Sequence, residues 1–569
     1  MYYIIMYMKG MNLGRLSAML CVAAMCLGVQ PTVAQTYYDQ IRIGWDYRKQ
    51  TFVSGGVYSR LKKLSDGSLA CVYSEGPSVY IRKRNVDGWG APVLVATDAH
   101  RQYGYTNAEL TELADGRLVY AWNARPHGNT GLPYKIMLCY SADKGQTWSA
   151  EETLFVAGAD FEEGCWEPVV MQLPSGEIQL FFANEYLVSD KQQHIAMMRS
   201  LDNGATWGQP EVVCFRAGSR DGMPVPVRLQ QDKGLALAIE DNGLNGAFKP
   251  VIIHTTMQDN WKSGTVLADS PNRWSALAES DTLPAPVYAG APYLIQLSTG
   301  ETLLSFQSGG GRKSQGTLDH SLMQVYVGDA EARNFCCRTT PFPFPFHPEA
   351  RTLWCALEQT DEQTVMATAS VSGLKKRNGI QTSTGRIFRP MKARHIQGLP
   401  DWDSMPEAMF IGAESQAQVG IKSVWNADSL YFHFRVADFR LCVAPLGQLP
   451  ETSDGVELCI DRTMKGSHTL TEGMFRILAN VAGTVRCQNI VDGRWTAWGC
   501  SVRADVTLQP DGYAVEVAIP WHKIKGKPNK EGLAVCFRLH NNDAEGVVYH
   551  ENMPGADPDR PYTWMRCTF

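Results

Sequence analysis

The sequence lacks the features that several large function classes require. It carries 53 Lys and Arg against 58 Asp and Glu, a formal net charge of −5, and its charge runs are short. There is no basic stripe for nucleic acid and no polybasic patch for an anionic membrane surface. Among 15 cysteines there is neither a Cys-x-x-Cys nor a Cys-x-x-Cys-His spacing, so no zinc or haem site built on cysteine is expected. Long helical periods are scarce. The one extended apolar stretch, Leu16–Val29, follows Lys9 and Arg15 and precedes the small-residue triplet Thr32-Val33-Ala34. That order predicts a signal peptide over residues 1–34, with translation from Met8 or Met11 and cleavage after Ala34. The stretch is too short for a permanent anchor. The mature chain is therefore expected in the periplasm or secreted.

Loss of Cys21 and Cys26 with that segment leaves 13 cysteines. An odd number requires at least one outside any intramolecular bridge. Cys71, Cys139, Cys459 and Cys536 lie inside apolar strand runs and read as buried small hydrophobes.

What is present is turn-rich and strand-like. Glycine reaches 51, tyrosine 22 and tryptophan 15, a composition suited to an all-β protein. At 569 residues the chain exceeds one ordinary core, and two domains are expected. A repeat of Gly turn followed by apolar strand runs through the first two thirds. Its copies include Leu64-Ser-Asp-Gly-Ser-Leu-Ala-Cys-Val-Tyr73, Leu113-Ala-Asp-Gly-Arg-Leu-Val-Tyr-Ala-Trp122 and Leu173-Pro-Ser-Gly-Glu-Ile-Gln-Leu-Phe-Phe182. The turn glycines 67, 116, 176, 234 and 300 are 49, 60, 58 and 66 residues apart, room for four strands and their loops. Thr360–Thr368 is a degenerate sixth copy. The repeat predicts six propeller blades over residues 35–390. An early strand near Ile41–Trp45 would complete the last blade, closing the ring and removing its free edges. The strand after each Gly turn is expected to lie nearest the axis.

Two segments, Ser141-Ala-Asp-Lys-Gly-Gln-Thr-Trp148 and Ser200-Leu-Asp-Asn-Gly-Ala-Thr-Trp207, fit S-x-D-x-G-x-T-W. This pattern resembles the Asp box of sialidase-like β-propellers. The Asp can bond backbone N–H groups of the turn, the Gly permits positive φ, and the Trp packs beneath. Such boxes indicate architecture and do no chemistry.

The blade pattern ends near residues 376–406, where Lys392–Pro406 is polar and proline-bearing as linkers often are. Residues 391–569 hold alternating strands without an Asp box. Trp425-Asn-Ala-Asp-Ser-Leu-Tyr-Phe-His-Phe-Arg-Val-Ala-Asp438, Asp454-Gly-Val-Glu-Leu-Cys-Ile-Asp461 and Tyr513-Ala-Val-Glu-Val-Ala-Ile-Pro-Trp521 resemble family 9 carbohydrate-binding modules. The resemblance implies a β-sandwich that holds sugar between aromatic rings, with Trp495, Trp498 and Trp564 as candidates. The plainer reading of each tryptophan is a core residue. Asp438, Asp454 and Asp461 are candidates for a structural calcium ion, with solvated loop carboxylates as the plainer reading. No catalytic cofactor or metal is required.

Glycan processing by hydrolysis normally needs two carboxylates. Glu167 stands between Trp166 and Pro168, ahead of an apolar run. Glu240 ends the strand Leu235–Ile239, before the turn Asp241-Asn-Gly243. The segments Gly164-x-Trp-Glu-Pro168, Glu185 with Gln193-His-Ile-Ala-Met197, Arg220-Asp-Gly-Met-Pro224 and Gly290-Ala-Pro-Tyr-Leu-Ile295 resemble the family 93 glycoside hydrolases, exo-acting arabinanases on six-bladed propellers. The resemblance implies a retaining reaction with Glu167 as nucleophile and Glu240 as general acid/base, on α-1,5-linked arabinan or a related plant glycan. Arg220 or Arg60 would keep Glu167 ionised. Asp221 would orient a sugar hydroxyl or one of those arginines, although an Arg-Asp pair in a loop is more often structural. Trp166, Asn107, Tyr288 and Tyr293 are further candidates for contacts to sugar. Val225-Pro-Val stands where that family has a small residue, and Cys165 replaces a larger apolar residue, so the subsites differ.

Two other readings stay open. A sialidase would need three arginines around a carboxylate. Arg273, Arg312 and Arg386 could supply them, and Tyr58-Ser-Arg-Leu61 is a partial echo of the usual motif. A non-catalytic glycan-binding propeller would use the glutamates only as hydrogen-bond acceptors. In each reading the partner is a polysaccharide or oligosaccharide, and the chain is expected to be a monomer.

Overall fold

The computed structural model describes residues 37–128, 130–188, 191–344, 347–412, 417–444, 452–499, 502–542 and 548–569. The expected signal peptide lies outside these residues. Each Gly turn of the repeat joins two antiparallel strands, and six such sheets follow one another around an axis. Their first strands are Val57–Lys63, Tyr103–Glu112, Cys165–Gln172, Asp221–Arg228, Ala289–Gln296 and Arg351–Asp361. The sixth blade takes its outermost strand from the start of the chain. Arg42–Ser54 pairs with Gly379–Phe388, from Arg42 opposite Phe388 to Ser54 opposite Ile380. The ring is thus closed between distant parts of the sequence and leaves no open seam.

The expectation that the second strand of each blade lies at the axis is corrected. The first strands of neighbouring blades pack on one another around the centre. The second strands lie one step out, between blades, and are buried on both faces, as in Ile178–Asn184. A strand covered on both sides reads as a continuous apolar run. The axial strand has one side facing the central channel and therefore carries polar residues, as in Cys165–Gln172.

Every axial strand has a β-bulge near its start, and each bulge holds a non-glycine residue at positive φ. They are Tyr58 (56°), Asn107 (55°), Glu167 (47°), Met223 (51°), Ala291 (52°) and Trp354 (52°). The register shifts fall between Val57 and Arg60, Thr106 and Glu109, Trp166 and Val169, Gly222 and Val225, Gly290 and Tyr293, and Leu353 and Ala356. Such bulges re-aim side chains, and here they form a ring at one end of the axis. At the other end the strands are latched across blades. The side chains of Glu112, Gln172, Gln296 and Gln359 accept the N–H groups of Ser65, Ala114, Gln230 and Ser298 in the preceding blade's turn.

The Asp boxes close the third strands of the second and third blades, at the end opposite the bulges. Ser141 Oγ accepts Gly145 N–H at 2.8 Å and Asp143 Oδ1 accepts Thr147 N–H at 2.9 Å, with Gly145 at φ 88°. Ser200, Asp202 and Gly204 repeat the arrangement.

Residues beyond the propeller form two antiparallel-rich sheets packed face to face. Phe432 and Phe434 from one sheet meet Phe537 of the other edge-on. The start of the described chain is stitched to its end: Tyr37 N–H donates to Tyr562 O at 2.9 Å and Arg566 N–H to Tyr38 O at 2.8 Å. Cys71, Cys139, Cys459 and Cys536 are buried free thiols. The described helices are short 3₁₀ turns, and no helix among the described residues is long and apolar enough to cross a membrane.

Candidate active site

The bulge ring divides into an apolar and a charged half. Tyr58, Met223 and Ala291 are buried together with Trp354 packed against them. The Tyr58 and Trp354 rings lie 6.1 Å apart at 37°. Opposite them stand Asn107 and Glu167, with Glu240 reaching in from the second strand of the fourth blade.

Glu167 owes its direction to its left-handed backbone, which turns the side chain toward the axis end. Its carboxylate lies 3.6 Å from the Arg125 guanidinium. Arg125 is itself held in place. It donates to Asn107 Oδ1 at 2.5 Å and to Asn123 Oδ1 at 2.7 Å, and lies 4.6 Å over the Trp166 ring. Burial pushes the Glu167 carboxyl up to about 7, with the Glu240 charge adding to the rise and Arg125 and Arg60 opposing it.

Glu240 pairs in register with Gly222 and extends over the neighbouring fifth blade. Its Oε2 accepts Ala291 N–H at 2.7 Å. This position depends on Gly290, because a Cβ there would fall 2.5 Å from both Glu240 Oε2 and the Tyr288 hydroxyl. Burial also raises the Glu240 carboxyl, against the Ala291 N–H and the Arg220 charge. Two carboxyls on adjacent blades are thus both lifted above their usual range, and Glu167 senses the charge of Glu240.

A third carboxylate stands beside them. Glu185, 1 % exposed, accepts Trp166 Nε1–H at 2.9 Å and pairs with Arg220 at 2.9 Å. Arg220 also donates to Gln193 Oε1.

Several sequence expectations change here. Arg60 is 3 % exposed, pairs with Glu109 at 3.2 Å and stacks 5.1 Å from Tyr293, which is buried too; both form packing beneath the bulge ring. The Glu167 ion pair is made by Arg125, with Arg60 acting only through its more distant charge and Arg220 serving Glu185. Asp221 is fully buried and forks onto Arg273 at 2.9 and 2.5 Å, orienting neither a sugar nor Arg60 or Arg220. Arg273 also reaches Asp241 at 2.5 Å, and Asp241 takes Arg216 at 2.9 Å, so this is a structural network. Trp166 is 4 % exposed, enclosed by Tyr134, Phe161 and Arg125, and positions Glu185 instead of offering a stacking face. Asn107 is buried and holds Arg125. Tyr288 lines the Glu240 wall, its hydroxyl accepting Gln307 Nε2–H at 2.8 Å.

The three arginines of the sialidase reading do not converge. Arg273 is spent on Asp221 and Asp241. Arg312 donates to the carbonyls of His320, Pro348 and Ala350. Arg386 pairs with Glu407 at 2.5 Å beside Phe410, where the two domains meet.

In the second domain Trp564 is fully buried, its indole N–H donating to Asp557 O at 2.9 Å, so it is core and cannot stack on sugar. Trp495 and Trp498 are half-buried, the first under Arg476 at 4.7 Å and the second against Phe475 at 4.9 Å. Asp461 is spent on the Thr463 N–H and hydroxyl, while Asp454 accepts Cys442 and Asn542 N–H groups. Burial raises Asp454 to about 6, with Asp438 adding to the rise. No group of three potential ligands for a metal ion occurs among the described residues.

The residues missed from sequence were Arg125, Trp354 and the role of Glu185. One signal existed: Arg125 and Glu185 each stand nine positions after a turn glycine, at 116 and 176.

The fold and site define an all-β chain: a six-bladed propeller with paired carboxyls at one end of its axis, followed by a β-sandwich. Residues 401–562 match the family model "Carbohydrate family 9 binding domain-like". No curated protein matches the chain. Among solved structures, it is similar to an α-L-arabinofuranosidase of Fusarium graminearum in complex with an iminosugar inhibitor, at 18 % identity and TM-score 0.45, over 62 % of this chain and 98 % of that one. It is also similar to a Penicillium chrysogenum α-L-arabinanase complexed with arabinobiose, at 16 % identity and TM-score 0.44, over 61 % and 98 %. A Hadza microbial sialidase is similar at 16 % identity and TM-score 0.41, over 58 % and 65 %.

Proposed function

We propose that the protein is an exported, exo-acting, retaining glycoside hydrolase on α-1,5-linked arabinan or a related plant glycan. One observation carries the reading: Glu167 and Glu240 share one buried, axis-end site and are raised together. A retaining reaction needs one such group ionised and one protonated, with the carboxyls about 5–5.5 Å apart. Glu167 is assigned as nucleophile, because it alone of the two has a guanidinium at ion-pair distance to favour its anion once Glu240 holds the proton. Glu240 donates that proton to the leaving oxygen and then takes one from water. The apolar half of the ring, with Trp354 partly open, suits the face of a sugar. Among the described residues Arg273, Arg312 and Arg386 do not converge on this site, and Arg125 and Arg220 are paired with Glu167 and Glu185, which favours a neutral sugar over a sialic acid carboxylate. The sandwich domain, through Trp495 and Trp498, would hold the polymer near the site.

The test is product analysis on linear α-1,5-arabinan beside a fluorogenic sialoside, with wild type, Glu167→Gln and Glu240→Gln. Short arabinose products from wild type, of retained anomeric configuration and reduced about 10³-fold or more in both variants, support the reading. Azide should rescue Glu240→Ala with retained configuration. Rescue of Glu240→Ala with inversion would exchange the two roles, and sialoside cleavage alone would overturn the substrate class.

A further inference from the structure

The strongest unassigned chemistry lies far from this site, where the propeller meets the sandwich. Cys336 and Cys337 are adjacent in sequence, both buried, with sulfurs 3.4 Å apart. Cys337 sits at φ 58°, an unusual conformation for a cysteine, and the backbone of Gly555 from the sandwich packs on it. Its Sγ is 2.9 Å from the Arg42 guanidinium. Arg42 is fully buried. Its other bonds run to carbonyl oxygens, of Tyr37 and Thr563 at 2.9 Å and of Gln40 at 3.1 Å. A buried cation needs an anion near it, and Cys337 is the group in contact that can become one. Burial opposes the thiolate, yet the hydrogen bond from Cys336 and the Arg42 charge bring the Cys337 thiol below its usual value. Cys337 also lines a cavity of about 560 Å3 between the domains, with Asp281, Arg338 and Arg560 on its walls. Of the pair, Cys337 is the residue that borders this space, the side from which a small reactant would approach.

The geometry points to Cys336 and Cys337 as a redox-active dithiol at the domain seam that closes to a vicinal disulfide by exchange with a small disulfide oxidant. Cys337 thiolate attacks one sulfur of the oxidant, forming a mixed disulfide and releasing the first thiolate. Cys336 gives up its proton and attacks Cys337 Sγ, releasing the second. One oxidant disulfide is reduced to two thiols, and one protein dithiol becomes a disulfide. Adjacent α-carbons are about 3.8 Å apart, closer than ordinary bridges allow, so the closed form is strained and easily reduced. The bond is therefore a labile one, set by the redox poise around the protein. Closing it removes the charge that offsets Arg42, whose remaining bonds tie the propeller to Thr563.

The test uses the full-length protein in graded reduced and oxidised glutathione, quenched in acid, alkylated and cut with trypsin. The peptide Asn334–Arg338 contains both cysteines and no others. It should pass from doubly alkylated to an unalkylated form about 2 mass units below the free dithiol peptide, by loss of two hydrogens, as the buffer becomes oxidising. Cys336→Ser should instead accumulate a glutathione adduct on Cys337. A peptide that stays doubly alkylated in oxidised glutathione, or whose cysteines bridge to other positions, overturns the proposal. Should the variant fail to fold, wild-type iodoacetamide labelling decides: Cys337 should react at least tenfold faster than Cys139, and equal rates overturn it.

Discussion

Replacing Glu167 by Gln should make the protein more stable while abolishing its activity, and the gain should depend on pH. The folded carboxyl stands at about 7, against 4.5 for the free group. The folded state therefore binds more protons than the unfolded state between those two values, and stability falls as pH rises through that window. The burden of holding the charge is absent below about pH 4.5 and complete above about pH 7. At about 1.4 kcal/mol for each pH unit, it amounts to about 3 kcal/mol. With the side chain 15 % exposed, solvent screening trims this to about 2–3 kcal/mol. Glutamine keeps the shape and removes the charge. Urea unfolding followed by tryptophan fluorescence and circular dichroism, at pH 5 and pH 8, measures the difference. The variant should gain about 2–3 kcal/mol at pH 8 and well under half of that at pH 5. A variant less stable than wild type at pH 8, or a gain equal at both pH values, would refute the reasoning. It would then mark Glu167 as a structural carboxylate whose ion pair with Arg125 supports the fold.

The remaining expectations concern neighbouring groups. Arg125→Ala removes the main cation opposing the Glu167 shift, so the acid limb of kcat/KM should move up by about one pH unit; an unmoved profile would exclude Arg125 from setting that charge. Gly290→Ala places a methyl group on the Glu240 carboxylate and the Tyr288 hydroxyl, and kcat should fall by about 10²-fold with little change in Tm. Asp221→Asn breaks the fork to Arg273 and should destabilise the propeller by about 3–5 kcal/mol; a stable but inactive variant would instead make Asp221 a substrate ligand. Trp564→Ala should cost about 3–5 kcal/mol of stability, whereas Trp495→Ala and Trp498→Ala should weaken retention on insoluble arabinan at unchanged Tm.

Much of the architecture was local and therefore legible in the chain. A Gly turn followed by an apolar strand needs only neighbouring residues, so the repeat disclosed the blades. Both Asp boxes carry their own hydrogen-bond partners within five residues of the turn. Glu167 stood out ahead of an apolar run and Glu240 at the end of one, and the resemblance carried by the segments around them paired the two. The closing strand was legible because a ring must pair its last edge.

What the sequence could not convey is which side of each strand faces the axis, and who meets whom there. The most apolar strands were placed at the centre, although the centre is a channel and tolerates polar residues; the doubly covered strands lie further out. The left-handed backbone at Glu167 has no local signal, since glutamate gains nothing from it and bears roughly 1–2 kcal/mol of strain. It is imposed by the sixfold bulge. The partners of the charges were also decided in space. Arg125 reaches Glu167 from another blade, Asp221 finds Arg273 52 residues away, and Arg42 meets Cys337 across 295. Charge pairing depends on distances of a few ångströms between strands far apart in sequence, and only the closed ring sets those distances.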